Sequence, residues 1–372
     1  MLGAISIIII TLLTISYFYL KCSVLKSFAT VMAAILGLII AFSYYEGLAD
    51  MLISRGHVSQ WAQGFIFFLL FVLSFALIRV GTDYVVGANI SFGEVSTRIT
   101  AVIAGILTGM IISGVFVITI ALLPVRKSFP YARFGEEINT RKPDKVMLNA
   151  DGFVAGFFGW VSKGSLSCGK SFDALHPDYV DGLHLNRVKP TEPEYDKRRK
   201  KPDPIKVLTT ASSESIILPK KYGVRIKDFG DHSRIVVKVG IKGREIADGG
   251  AADKDKNVYF ALSQVRLICK AKGASTGTSG SSIVVYPDKY KLAGKPLAKE
   301  PGLDEVIKFS RNEFNKRGVA WIDIAFNVPD NMQAAFLGFK NNTIVELPKP
   351  VESNNEVERE LAAEIRGESK KK

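Results

Sequence analysis

The sequence predicts an α-helical membrane bundle of four transmembrane helices, followed by a mostly antiparallel, β-sandwich-like soluble domain. Three observations lead there. Four apolar stretches occupy the first third of the 372 residues, and ionisable side chains are nearly absent from that third. After residue 205, apolar and polar residues alternate with a period of two.

The apolar stretches are Leu2–Leu20, Phe28–Tyr45, Trp61–Ile78 and Thr100–Leu123. Each approaches or exceeds the roughly 18–20 residues that cross a hydrocarbon core, and none is charged except at its ends. The first has no Lys or Arg before its apolar run and no A-x-A site after it, so it reads as an uncleaved helix. Lys21 stands where a lipoprotein site before Cys22 would need a small residue. With nothing ionisable inside the stretches, a proton or ion relay has no residues to run on.

Small residues recur every four positions in two of these helices. The second carries Ala29, Ala33, Gly37 and Ala41, and the fourth carries Ala101, Gly105, Gly109 and Ser113. Such stripes let helix backbones approach closely, which drives association where lipid removes any hydrophobic force between helices. The packing can be within one chain or between copies, so a homo-oligomer stays open.

Residues 1–125 hold five Lys/Arg and four Asp/Glu; from totals of 49 and 36, residues 126–372 keep 44 and 32, a net of +12. That excess suits an anionic partner such as phospholipid headgroups, cell-wall polymer or nucleic acid. The expected partners are the lipid bilayer and anionic envelope components or membrane-protein partners, with no nucleic acid. Cys168 and Cys269 either pair or stand as two buried thiols.

Residues 126–204 read as a juxtamembrane segment and linker. Within Asp151–Ser167, Phe153, Phe157 and Trp160 share one helical face, suited to the membrane interface or to packing on the soluble domain. From 189 to 204, four prolines flank Lys197–Lys201, a like-charge run that reads as solvated and disordered. The β-sandwich-like domain spans 205–350. Ile235, Val237, Val239 and Ile241 alternate with polar or outward residues, as do Ala320, Ile322, Ile324, Phe326 and Val328. Residues 351–372 read as a charged tail: a short charged helix after Pro350, then a frayed lysine end.

The stretch Arg98, Gly105, Gly109 resembles the opening of the last helix in the colicin V production protein (CvpA) family, Asp-Arg-x-x-Gly-x-x-x-Gly-x-x-x-Gly. Thr97 and Ala101 depart from that pattern, and Lys21 and Lys26 stand where the family tends to have a Gly/Arg pair. The resemblance covers the first third of the chain. It implies a multi-pass protein of the bacterial inner membrane, non-enzymatic, linked to toxin production and export or to envelope maintenance. It implies Arg98 as a helix-packing residue and transfers no catalytic residue. Trp321–Pro329 and Phe336–Phe339 are similar to the last strands of immunoglobulin-like envelope modules, a domain for binding or scaffolding.

Two motifs offer other chemistry. Gly164–Ser171 matches G-x-x-x-x-G-K-[ST], which would make the chain a membrane-anchored nucleotide hydrolase using Lys170. A working loop needs a strand before it and a long helix after it; here glycines and aromatics precede it and Pro177 follows closely. Val319–Asp323 imitates a Walker B strand but also fits a sandwich. His176, Asp178, Asp181 and His184 could ligate a metal, yet a polar loop explains their irregular spacing. No cofactor, metal or catalytic residue is expected.

Basic residues near the membrane divide four against four between the two sides. The lysine-free N-terminus facing a first loop with Lys21 and Lys26 favours that loop inside and the C-terminal domain in the periplasm.

Overall fold

The computed structural model describes every residue except 1, 56–59, 86–92, 136–137, 165–170, 188, 197–200, 229–232, 244–256, 274–281, 294, 296, 299–300 and 367–372. Two compact units emerge. One comprises Met1–Leu52, Trp61–Leu166 and Tyr179–His184; the other comprises Ile53–Gln60, Ser167–Asp178 and Leu185–Lys372.

The first unit is built on the four expected helices: α1 (Leu2–Lys21), α2 (Val24–Ser54), α3 (Ala62–Val85) and α4 (Glu94–Leu122). All four are long and apolar enough to span a bilayer. Their outward residues are themselves apolar, among them Leu13, Leu20, Phe65, Leu77, Ile99 and Ile103. A water-soluble bundle would place polar groups there; lipid is the solvent that suits this surface.

Helix α4 packs antiparallel on α1 through its small residues. Ala101 sits with Phe18 and Cys22, Gly105 faces Ile15, Gly109 faces Thr11 and Thr14, and the Ser113 hydroxyl donates to the Ile7 carbonyl at 3.4 Å. The Thr14 hydroxyl donates to the Gly105 carbonyl at 3.1 Å, a bond open only because no side chain separates the backbones. On α2, Gly37 meets Ser74 and Phe75 of α3. The α4 stripe and Gly37 of the α2 stripe therefore meet helices of the same chain. Helix α2 also runs past its expected end through Glu46 and Asp50, so ionisable groups do lie on a spanning helix.

Three shorter helices follow: α5 (Ala150–Lys163), α6 (Phe172–Leu175) and α7 (Tyr179–Leu185). Helix α5 belongs to the membrane unit and not to the β domain. Its buried face is Ala150, Asp151, Val154, Ala155, Phe158, Gly159 and Ser162, opposite the aromatic stripe.

The second unit carries fourteen strands among its described residues. The residues expected to form a disordered linker contain an antiparallel pair, β1 (Lys189–Asp196) with β2 (Lys201–Val207); the run Lys197–Lys200 lies outside the described residues. Next come β3 (Ile216–Ile217), β4 (Val224–Asp228), β5 (Ser233–Lys242), β6 (Val258–Ala261), β7 (Val265–Ala271), β8 (Ser282–Val285) and β9 (Lys289–Leu292). The last are β10 (Val306–Phe309), β11 (Val319–Phe326), β12 (Met332–Phe339), β13 (Thr343–Glu346) and β14 (Val351–Glu352).

One sheet has the order β14-β4-β5-β11-β9 with β3 added beside β5; another has β13-β12-β7-β8. Pairing is antiparallel except between β14 and β4. The alternation read in β5 and β11 is realised: Val237, Val239, Ile241, Ile322, Ile324 and Phe326 point inward. They meet Leu267, Cys269, Leu337 and Phe339 of the other sheet in one core. Phe260 of β6 and Phe309 of β10 close it, their rings stacked at 6.0 Å.

In the C-terminal residues the short charged helix expected after Pro350 is present, with a strand before it. These are β14 and helix α8 (Asn355–Arg366), whose Val357 and Leu361 are buried. Arg225, fully buried on β4, holds α8 through Glu358 at 2.5 Å and β11 through Asp323 at 2.6 Å. Lys227 adds a 3.0 Å contact to Glu358, and Lys238 a 2.9 Å contact to Asp323. A buried guanidinium needs such compensation, which holds the helix on the β domain.

Candidate functional site

A buried polar cluster of the membrane unit lies where the chain returns after α4. Tyr131 donates its hydroxyl to the Asp151 carboxylate at the start of α5. Arg133 donates through Nη1 to the Tyr131 hydroxyl at 3.2 Å and through Nε to Asp181 of α7. The His184 ring lies 4.9 Å from that of Tyr131. Asp151 also accepts from the Gly152 N–H at 2.9 Å. Next to this cluster, the hydroxyls of Tyr45 and Tyr179 are 2.9 Å apart, and Tyr45 donates to Glu46 at 2.8 Å.

The electrostatics follow from burial and pairing. Burial, then the Asp151 carboxylate, pushes the Tyr131 phenol well above its ordinary range, so it stays a proton donor. Burial works against the Arg133 charge, but Asp181 and the Tyr131 hydroxyl outweigh it and hold the guanidinium above its usual value. The arrangement is thus a hydrogen-bonded chain of carboxylate, phenol, guanidinium and carboxylate. Chemically it is a clasp: it ties residues 131–133, α5 and α7 together and satisfies charges that could not otherwise be buried there.

The helix-packing residues read from sequence lie in two settings. Ala33, Gly37, Ala41, Gly105, Gly109 and Ser113 are buried in helix contacts, and Ala29 is half-buried. Arg98 is not in a packed seam. It is exposed, paired with Glu94 one turn earlier, and its guanidinium lies 5.6 Å from the Tyr19 ring centroid.

Of the proposed metal set, Asp181 is committed to Arg133. His176 and Asp178 belong to the other compact unit from Asp181 and His184. Among the described residues, no group of three or more His, Cys, Asp or Glu is placed to hold a metal ion. Asp323, the acidic residue of the Walker-B-like run, is engaged by Arg225 and Lys238. Cys269 is a buried thiol, which burial pushes up to about 12; Cys168 lies outside the described residues.

Residues 165–170 of the G-x-x-x-x-G-K-[ST] match, Lys170 included, also lie outside the described residues. Their flanks are visible: helix α5 ends just before the motif and the four-residue α6 begins just after Ser171. Neither the aiming strand nor the long helix of a phosphate loop is present in those flanks. ATP or GTP with Mg²⁺ should therefore leave the thermal midpoint of the full chain unchanged, in the parent and in Lys170→Ala alike. A true site at a hundredfold its Kd would add ~2.7 kcal/mol, so a Mg²⁺-dependent shift abolished by Lys170→Ala would establish nucleotide binding.

Sequence reasoning missed Tyr131, Arg133, Asp151 and Tyr179. One signal was available: Asp151 falls on the same helical face as Val154, Ala155 and Phe158, and a carboxylate on a face that packs needs a buried partner. No family model, curated protein or solved structure matches the chain.

Proposed function

We propose that this chain is a non-enzymatic, multi-pass bacterial inner-membrane protein of the CvpA type. Its bundle anchors a basic β-sandwich that binds or scaffolds an anionic envelope component, in toxin production and export or in envelope maintenance. The motif Arg98, Gly105, Gly109 supports the family reading, and Lys21 and Lys26 in the first loop support a periplasmic sandwich.

One observation carries the binding role. The chain beyond residue 125 has a net charge of +12, and part of it is displayed together: Lys308, Arg311, Lys316 and Arg317 are all exposed on the segment from β10 into β11. Several carboxylates of the same unit are meanwhile engaged, Asp288 by Arg234 at 2.7 Å and Glu313 by Lys295 at 2.8 Å. Exposed cations so grouped attract a polyanion over a Debye length and lose it to salt.

The test uses the full chain in zwitterionic nanodiscs, titrated with dextran sulfate and with neutral dextran. Binding should be confined to the polyanion, weaken with salt, and fall by at least about tenfold in the K308E/R311E/K316E/R317E variant. Equal affinity for both polymers, or an unchanged quadruple variant, would remove the binding reading.

A further inference from the structure

We infer that α5 is a membrane-embedded interfacial helix, whose outward face of Phe153, Phe157 and Trp160 contacts the lipid of the same bilayer that α1–α4 span. The inference rests on the bundle alone and stands or falls separately from any role of the β-sandwich.

Depth is the first argument. The ends of α2 and α4 and the start of α3 lie on one side: Gly64 of α3 packs on Leu123 and Thr119, while Val31 of α2 packs at the opposite end with Phe18 and Ala101. From that side, α5 contacts α4 at Gly114, where an added Cβ would strike the Ala150 carbonyl and Val154. Gly114 precedes the last residue of α4, Leu122, by eight positions, about 12 Å of helix. Phe158 stacks on Phe42 of α2 at 4.7 Å, twelve positions or about 18 Å before Ser54. With 31 and 29 residues, α2 and α4 exceed a ~30 Å hydrocarbon core by roughly 13–16 Å, or about 7 Å at each end. Helix α5 thus meets the bundle some 5–10 Å inside the hydrocarbon edge, the depth at which in-plane helices lie.

Chemistry is the second. The face that α5 turns to its neighbours is mostly small, Ala150, Val154, Ala155 and Gly159, with Phe158 stacked on Phe42 and Asp151 held by Tyr131. Its outward face is large and apolar, Trp160 being 71% and Phe153 41% exposed, and Phe129, Met147 and Leu148 of the preceding segment are exposed as well. Lys163, at the end of the helix, is exposed and long enough to reach the headgroups. At this depth the surrounding medium is acyl chain, and Trp and Phe are the residues that suit its boundary.

The full chain carries three tryptophans, so W61F/W321F leaves Trp160 as the single reporter. Reconstituted in vesicles, it should be quenched strongly by phosphatidylcholine brominated at carbons 6 and 7, less by bromines near the chain ends, and little by acrylamide. A second probe, F153W with W61F, W160F and W321F, should give the same order if α5 lies in the plane. Quenching of both probes by acrylamide without lipid quenching would place the face in water and overturn the inference. Insensitivity to every quencher would show that protein covers it, which overturns it equally.

Discussion

Gly105→Leu and Gly109→Leu should each unfold the membrane bundle at a temperature well below the parent, with a loss on the order of 3 kcal/mol. A Cβ at Gly105 would lie 2.7 Å from Cα of Ile15, and one at Gly109 would lie 2.8 Å from Cα of Thr11. Both obstacles are backbone atoms of α1, so no rotamer change relieves them. The isobutyl group of leucine then requires α1 to move away bodily. That movement breaks the Thr14–Gly105 hydrogen bond and opens the Ser113–Ile7 contact. Lipid offers nothing to offset the lost packing, because tails are as apolar as the side chains they replace. Gly81→Leu supplies the control, since nothing lies within 4 Å of the Cβ it adds. The measurement is the thermal transition of detergent-solubilised full chain. If Gly105→Leu and Gly109→Leu melt with Gly81→Leu, close packing of α1 on α4 is wrong.

The same seam shows what sequence patterning carries and where it stops. The four spans and the α4 stripe were legible because length and small-residue spacing are local properties, and both transfer directly to helices in lipid. The β5 and β11 faces were legible for the same reason: alternation fixes which side meets the core. Helix α5 was only half legible. Its aromatic stripe is the natural buried face in water, but here the medium is lipid, and the small face packs while Phe153 and Trp160 face outward. The pair β1–β2 was hidden because proline and like charge argue against a strand. Helix α8 was legible as a short charged helix, but its anchoring was not: it buries Val357 and Leu361 and is secured by the ion pair from Arg225, 133 residues away in sequence. The clasp at Tyr131 and Arg133 was illegible for a similar reason: its partners come from three separate segments, and no spacing rule connects them.

Lys340 is the residue whose setting departs furthest from its local sequence, and its replacement should change how the β-sandwich responds to pH. It begins the turn between β12 and β13 with φ of 53°, followed by two asparagines, a context that reads as exposed. Instead it is fully buried. Its Nζ donates to the Leu208 carbonyl at 2.7 Å, its own N–H donates to the Gln264 carbonyl at 2.7 Å, and its carbonyl accepts from Arg266 at 2.9 Å. Burial lowers its pKa to about 7, against 10.5 in the unfolded chain. Between those values the unfolded state holds a proton that the native state lacks, so stability rises with pH; below about 7 both states are charged and the penalty is complete. Cys269 acts in the opposite sense above pH 9, where the unfolded thiol ionises and the buried one does not. The window from pH 7 to 9 therefore isolates the lysines, and Lys340 should contribute a rise of about 2–3 kcal/mol across it. Lys270, whose pKa burial also lowers, adds a smaller slope of the same sign. Lys340→Met keeps the length and removes the charge. It sacrifices one hydrogen bond, roughly 1 kcal/mol, yet removes a larger desolvation cost at neutral pH. In a W61F/W160F background, unfolding followed through Trp321 should show Lys340→Met at least as stable as the parent at pH 7, with most of the rise to pH 9 gone. A variant that is less stable at pH 7 and keeps the full slope would mean that Lys340 is held charged, and that its contact with Leu208 outweighs its burial.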